Sequence, residues 1–400
     1  MSTERSASAY SAVHSRALKS VAVQFFVNGA LFASFVPRLP EIRDRIEVSV
    51  STIGVLLSLA GLSGLLGSAA VGHVIGRFGT RRVMLSASAV VSGCLAVVGL
   101  ARSPALFVVG LMGMIAFDVL VDVAMNMQGS WLSALRHTPV LNRLHGLWSL
   151  GTLVGGAVSS RMAAAGVSLT AHLLGAAAVL LLVLAYVGPG LLADDLSPET
   201  ATEPANDSDH RPMRPVSVGK LVLFGFFAAG FFGVTLELTA IDWAAFRLSD
   251  DFALSAGSAA FGYVAVTAGM TVSRFVADSV VARLGTMTTT WISLGLTATG
   301  MLIANLSASS SLSLVGFALN GAGIAALLPA MYDTAAKLPG RSALGLGALT
   351  AGLRTAALSV PGVVGLLAGT GLSVGQAVVV VALPSVVGFG VAVSRMGVFR

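Results

Sequence analysis

Ser51 to Val71 and Val83 to Ala101 are two apolar runs that contain no charged residue. A helix needs about twenty residues to cross the hydrocarbon core of a bilayer, and each run supplies roughly that length. Backbone polar groups in lipid must be bonded internally, so such runs fold as helices or not at all. They are joined by GHVIGRFGTRRVML, Gly72 to Leu85. Its glycines allow a tight turn, and Arg77, Arg81 and Arg82 are expected to hold that turn on the cytoplasmic side.

The stretch recurs. Shifting the sequence by 206 positions lays Arg77 on Arg283 (283 − 77 = 206) and RFGT (77 to 80) on RLGT (283 to 286). The same shift pairs Phe25-Phe26 with Phe231-Phe232, Gly110 with Gly316, Met125 with Met331 and Gly146-Leu147 with Gly352-Leu353. Several matches at one offset argue for duplicated halves, the architecture of a secondary transporter.

Composition agrees. Only 10% of the residues are charged and 55% are hydrophobic, against about 25% charged in soluble domains. The net charge of +6 does not point to nucleic acid, because the basic residues sit in short loops between apolar spans. The single Cys94 excludes a disulfide within the chain, and the six histidines are scattered without metal-ligand spacing. No metal site or cofactor is expected. The polar residues 1 to 16 lead into a first helix read as uncleaved.

The pattern predicts an all-α integral membrane protein of twelve transmembrane helices in two pseudo-symmetric six-helix halves. The spans fall at roughly 17–38, 50–71, 82–101, 104–134, 144–165, 168–192, 218–246, 256–280, 286–307, 310–336, 343–369 and 373–394. The domains are then 1–193, a cytoplasmic linker at 194–217 and 218–400. The linker is rich in acid, Pro and Ser and cannot bury a core of its own. Seventeen Arg and Lys lie in one set of loops and tails against six in the other, namely Arg38, Arg43, Arg45, Arg102, Arg161 and Arg247. That bias puts both termini in the cytoplasm; the Arg over Lys bias suggests a GC-rich genome, and the membrane is expected to be the inner membrane of a bacterium.

Charges inside spans need a reason, because a charge at mid-bilayer costs several kcal/mol. Asp118 and Asp122 lie one turn apart on one face of the fourth span, with Asn126 one turn further. Two like carboxylates so close resist joint ionisation and keep a proton on hand. Asp118, Asp122 and Glu237 are therefore the expected proton-coupling groups. Arg354, in the eleventh span, is the counter-charge that competes with the proton or grips an anionic or hydroxyl-rich solute. Substrate contacts are expected from Asn28, Asn126, His145, Trp148, Glu237, Asp242, Trp243, Asn320 and Arg354. The bland alternative is that these groups only satisfy one another and hold the halves together. A cytoplasmic gate is expected from Arg77, Gly79, Arg81 and Arg283, with Arg274 and Asp278 four apart as its latch. Gly151, Gly155 and Gly156 suit close helix packing.

The Gly72 to Arg82 loop resembles the signature loop between helices 2 and 3 of the major facilitator superfamily. Where that loop carries an Asp before its first Arg, this chain has Gly76. RLPEIRDRI (38 to 46), DVAMN (122 to 126), HGLWSLG (145 to 151) and ELTAIDW (237 to 243) resemble the fucose-permease-like branch and its bacterial relatives. The resemblance implies proton coupling at Asp122 and a sugar site lined by His145 and Trp148. Val36 stands where the permease has a second acid.

These readings imply a proton-coupled symporter of a small polar, sugar-like solute, working as a monomer in the bilayer. The rival is a proton-antiport exporter of drugs or secondary metabolites. Such antiporters carry a Gly-Pro pair in helix 5, whereas this chain has LGTLVGGAV there and Pro361-Gly362 in the eleventh span. A non-transporting receptor on the same fold is the third possibility. No Ser/His/Asp, Cys/His or phosphate-loop arrangement faces one compartment, so an enzyme is not expected.

Overall fold

The computed structural model describes residues 2–136, 140–194, 219–338 and 342–396, with the backbone alone at 2–12, 142, 278, 342, 343 and 396. Twelve long helical elements run through them. The first six are α1 (Ser2–Phe35), α2 (Val50–Phe78), α3 (Thr80–Leu100), α4 (Pro104–Leu135), α5 (Leu141–Ala164) and α6 (Leu169–Val187). The second six are α7 (Lys220–Ile241), α8 (Ala256–Leu284), α9 (Thr286–Leu306), α10 (Ser310–Ile324 continuing as Leu327–Ala336), α11 (Ser342–Ala368) and α12 (Val374–Met396). Among the described residues, eleven are long and apolar enough to cross a membrane; α5 falls short. It carries Ser149, Thr152, Ser159, Ser160 and Arg161 and packs against α1 and α8. Large apolar side chains face outward elsewhere, such as Leu66, Leu182 and Val272.

Helix pairing repeats between the halves. The contacts α1–α5, α2–α4, α3–α4, α3–α6 and α1–α6 reappear as α7–α11, α8–α10, α9–α10, α9–α12 and α7–α12. The two tight turns repeat as well. Gly79 ends α2 at φ +79° and Gly285 ends α8 at φ +77°, a backbone that L side chains rarely adopt. The shift of 206 seen in the sequence is therefore a shift of six helices in space.

One end of the bundle carries the arginine-rich α2–α3 turn and is called the basic end. The six helices that start at the opposite, far end are each preceded by a serine: Ser49, Ser103, Ser168, Ser255, Ser309 and Ser373. All but Ser255 accept a bond from a backbone N–H of the first turn, filling donors that the helix leaves open.

Two expected spans are interrupted. The tenth breaks at Ala325-Ala326, because Pro329 lacks an N–H and its ring displaces the carbonyl four residues earlier, that of Ala325. The seventh, expected to reach residue 246, ends at Ile241 and continues as a short turn Ala244–Phe246 and a wide turn Arg247–Asp251. The linker expected at 194–217 lies outside the described residues after Asp194. Asp194 itself closes the first half: its Oδ1 accepts from Thr80 N (2.7 Å) and Thr80 Oγ1 (2.6 Å), capping α3. Gln128 of α4 ties Thr80 Oγ1 to the backbone of Leu192.

The halves meet along α2–α11 and α5–α8. Near the far end a Cβ on Gly54 would lie 2.5 Å from Pro361 O, and one on Gly257 would lie 2.6 Å from Ala164 Cα. Only glycine permits that approach. Toward the basic end of α2 and α11, Gly72, Gly76 and Gly347 have nothing within 4 Å of a built Cβ. The far end is closed, and the α2–α11 seam opens toward the basic end.

Candidate functional site

The polar groups expected inside the spans converge where the two halves meet. On α4, spacing by four puts Asp118, Asp122 and Asn126 in line. Asn126 Nδ2 donates to Asp122 O (2.9 Å) and Oδ1 (3.0 Å), and its Oδ1 lies 3.1 Å from His145 Nε2 on α5. Asn28 on α1 donates from Nδ2 to Asp118 Oδ1 at 2.6 Å and accepts from Trp148 Nε1 at 2.8 Å. Its amide is thus engaged with two neighbours, which makes Asn28 a positioning residue more than a solute contact. Asp118 is half-buried, whereas Asp122 and His145 are exposed.

The second half supplies the opposite wall. Arg354 of α11 acts electrostatically on both Asp118 and Asp122. Its Nε is buried without a hydrogen-bond partner, and no ion pair within 4.0 Å joins it to a described carboxylate. Gly64 of α2 makes room for it: a Cβ there would lie 3.0 Å from Arg354 Nη1. Tyr332 of α10 lies within electrostatic reach of Arg354, Asp122 and Glu237. Glu237 of α7 lies within electrostatic reach of Arg274 of α8 and of Asp242. Arg274 crosses between the halves, donating from Nη1 to Ser149 Oγ at 2.5 Å and lying 5.4 Å above the Trp148 ring.

Some expected positions lie elsewhere. Asn320 is buried between α9 and α10, where its Nδ2 bonds Thr297 O at 3.2 Å. Trp243 is fully buried at the far end, against Phe246. Neither reaches the cluster, because each faces its own half's packing and not the seam. Arg274 Nη1 reaches across the seam to Ser149; the Asp278 side chain, expected as its latch partner, lies outside the described residues. At the basic end Arg77 lies over the Phe78 ring, Arg81 Nη2 is 3.5 Å from Pro189 O, Arg283 sits in the last turn of α8, and Gly79 forms the α2–α3 turn.

Tyr332, Ser149 and Gly64 join the cluster without a sequence signal; a Tyr, a Ser or a Gly in a span is ordinary. A second group missed in the sequence closes the far end. Arg43, in the short helix Leu39–Arg45 after α1, pairs with its neighbour Asp44 at 2.7 Å and with Asp250 of the second half. Asp250 sits on a platform pinned by Arg247, which bonds Asp251 (2.7 Å) and Ser307 O (2.7 Å), while Asp251 accepts from Val374 N and Gly375 N. Arg43 sits on a loop pinned by Arg38 to Val167 O (2.9 Å) and by Arg45 to Gly99 O (3.1 Å). The pair therefore links two firmly held pieces.

Two packed six-helix halves of largely apolar helices, with a charged cluster at their seam, have the architecture of a membrane transporter. A family model described as Major Facilitator Superfamily matches residues 21–241, and the chain belongs to that superfamily. The uncharacterized transporter y4wD of Sinorhizobium fredii is 31% identical over 325 residues, covering 80% of this chain and 82% of its own length. The membrane protein MosC of Rhizobium meliloti is 27% identical over 330 residues, covering 80% and 76%. Among solved structures, the nucleoside transporter NupG superposes with a TM-score of 0.70 at 12% identity over 94% of this chain and 98% of its own. A bacterial homolog of the human lysosomal transporter Spinster, inward-facing and unoccupied, superposes with a TM-score of 0.67 at 13% identity over 97% and 98%. At those identities the structures speak for the fold alone.

Proposed function

We propose that the protein is a proton-coupled symporter of a small polar solute, binding it in the seam cluster and exposing it to each side in turn. The observation that carries this reading is the placement of Asp118 and Asp122 on α4 opposite Arg354 on α11. The two carboxylates move with one half and the guanidinium with the other. Rocking the halves changes their separation, and with it the hold of the pair on a proton. Glu237 and Arg274 are a second charged couple, both on the second half, with Arg274 reaching Ser149 of the first half, and Asn126, His145, Trp148 and Tyr332 add donors and aromatic faces suited to a hydroxylated ligand. The positive-inside bias supports a cytoplasmic basic end, with both termini on that side of a bacterial inner membrane. The seam open toward that end is then an inward-facing state.

The test is proton movement in proteoliposomes carrying a pH dye, with sugars, small acids and amphiphilic cations added in turn. Proton entry with a polar solute, lost in Asp122→Asn, supports the symporter. Proton release in exchange for amphiphiles only would replace it with the antiport exporter. Silence with every class would leave a non-transporting protein on a transporter fold.

A further inference from the structure

We infer that the solute carries a carboxylate, taken by Arg354, together with hydroxyl groups that donate to the acids and amide on α4. The inference rests on the reading of the seam cluster as the transport site. Arg354 is the group that calls for a ligand. Five N–H donors sit on its guanidinium, yet Nε is buried without a partner and no carboxylate among the described residues closes to ion-pair distance. Arg274, the other seam arginine, is already engaged by Ser149 and stacked over Trp148. Gly64 lets the guanidinium pack directly against α2, since a Cβ there would lie 3.0 Å from Arg354 Nη1 and 3.3 Å from Ile115 of α4. A planar guanidinium without an acid of its own matches a carboxylate, which it can take with two parallel bonds.

The opposite wall asks for the reverse. Asp122 and Asn126 present oxygens, and ionised carboxylates accept but do not donate. A ligand bridging the gap needs an acid at one end and hydroxyls at the other, which is the chemistry of a small polyhydroxy acid. Its charge also explains coupling. Asp118, Asp122 and Arg354 together carry one negative charge when both carboxylates are ionised, and a bound carboxylate would make two. A proton taken up by the acid pair restores the balance, so anion and proton bind each other into place. Tyr332 of α10 also senses Arg354, while Glu237 of α7 is countered by Arg274. Neither offers Arg354 a second positive charge to share the anion, which leaves the proton on the acid pair as its balance.

The experiment uses the full chain in proteoliposomes with a pH dye and a potassium–valinomycin potential. Gluconate and glucuronate are compared with glucose and inositol. The acids should drive proton entry at rates indifferent to the imposed potential, since one proton with one carboxylate moves no net charge. Their half-saturating concentration should fall as pH falls, and Arg354→Gln should raise it about tenfold or more, with Arg354→Lys between. If glucose or inositol moves protons and the acids do not, the acid requirement is overturned while proton coupling stands. If an acid response survives intact in Arg354→Gln, the assignment of Arg354 is overturned. If no solute class moves protons at all, the transport reading itself falls with it.

Discussion

Asn28 Nδ2 donates to Asp118 Oδ1 at 2.6 Å and so joins α1 to the acids of α4. The same amide accepts from Trp148 Nε1 on α5. One side chain on α1 thereby fixes the position of a carboxylate and an indole that come from two other helices. Replacing Asn28 by Leu leaves a carboxylate and an N–H without partners, a loss of about 1–3 kcal/mol for each buried group. The thermal midpoint in detergent should drop by several degrees and transport should fall sharply. An unchanged midpoint together with normal uptake would show that the amide positions nothing.

Asp122 and Asp118 should separate on substitution. Asp122 is exposed toward the open seam, whereas Asp118 is half-buried and held by Asn28. In Asp122→Asn, proton-driven accumulation should vanish while exchange of solute between equal pools persists and becomes insensitive to pH. In Asp118→Asn both modes should weaken, because the Asn28–Trp148 arrangement is disturbed. Proton-driven accumulation retained by Asp122→Asn and lost only in Asp118→Asn would move the coupling role to Asp118.

The Arg43–Asp250 pair should act as a far-end latch. Its side chains are 15% and 23% exposed, so its contribution is modest, about 1 kcal/mol, or roughly fivefold in population. Arg43→Gln should raise labelling of a cysteine introduced at Ser58 by an impermeant maleimide added from the far side, in a background where Cys94 is Ser. Asp250→Asn should do the same, and the two changes together should add little. Additive effects from the pair would mean that the two residues act separately.

The two turn glycines give a matched comparison. Both have positive φ, but a Cβ on Gly79 would meet Asp194 Oδ2 at 2.3 Å, whereas nothing lies within 4 Å of one on Gly285. Gly285→Ala should cost about 1–3 kcal/mol for its backbone alone, because φ +77° with ψ 159° is a conformation left almost entirely to glycine. Gly79→Ala should cost more, because Asp194 must also give up Thr80, and Asp194→Ala should reproduce that excess, about 1 kcal/mol. Equal midpoints for the two alanine variants would remove Asp194 from the account.

The spans were legible because the bilayer leaves a chain little freedom, and uncharged runs of helical length are local features. The duplication was legible too, since turns with the same backbone need the same glycines, Gly79 and Gly285. Asp118, Asp122, Glu237 and Arg354 stood out because a charge in a span is costly wherever it points. What a polar residue faces depends on how helices rotate and pack, and no local pattern carries that. Asn320 and Trp243 look like Asn126 and Trp148 in the sequence, yet the first two serve packing within a half. Asn28 finds Trp148 across 120 positions, Arg274 finds Ser149 across 125, and Arg43 finds Asp250 across 207. Sequence by itself determined the helices, the repeat and the charges that need partners. Only the tertiary structure decided the pairings, because closing the seam brings together side chains whose distance along the chain says nothing of their distance in space.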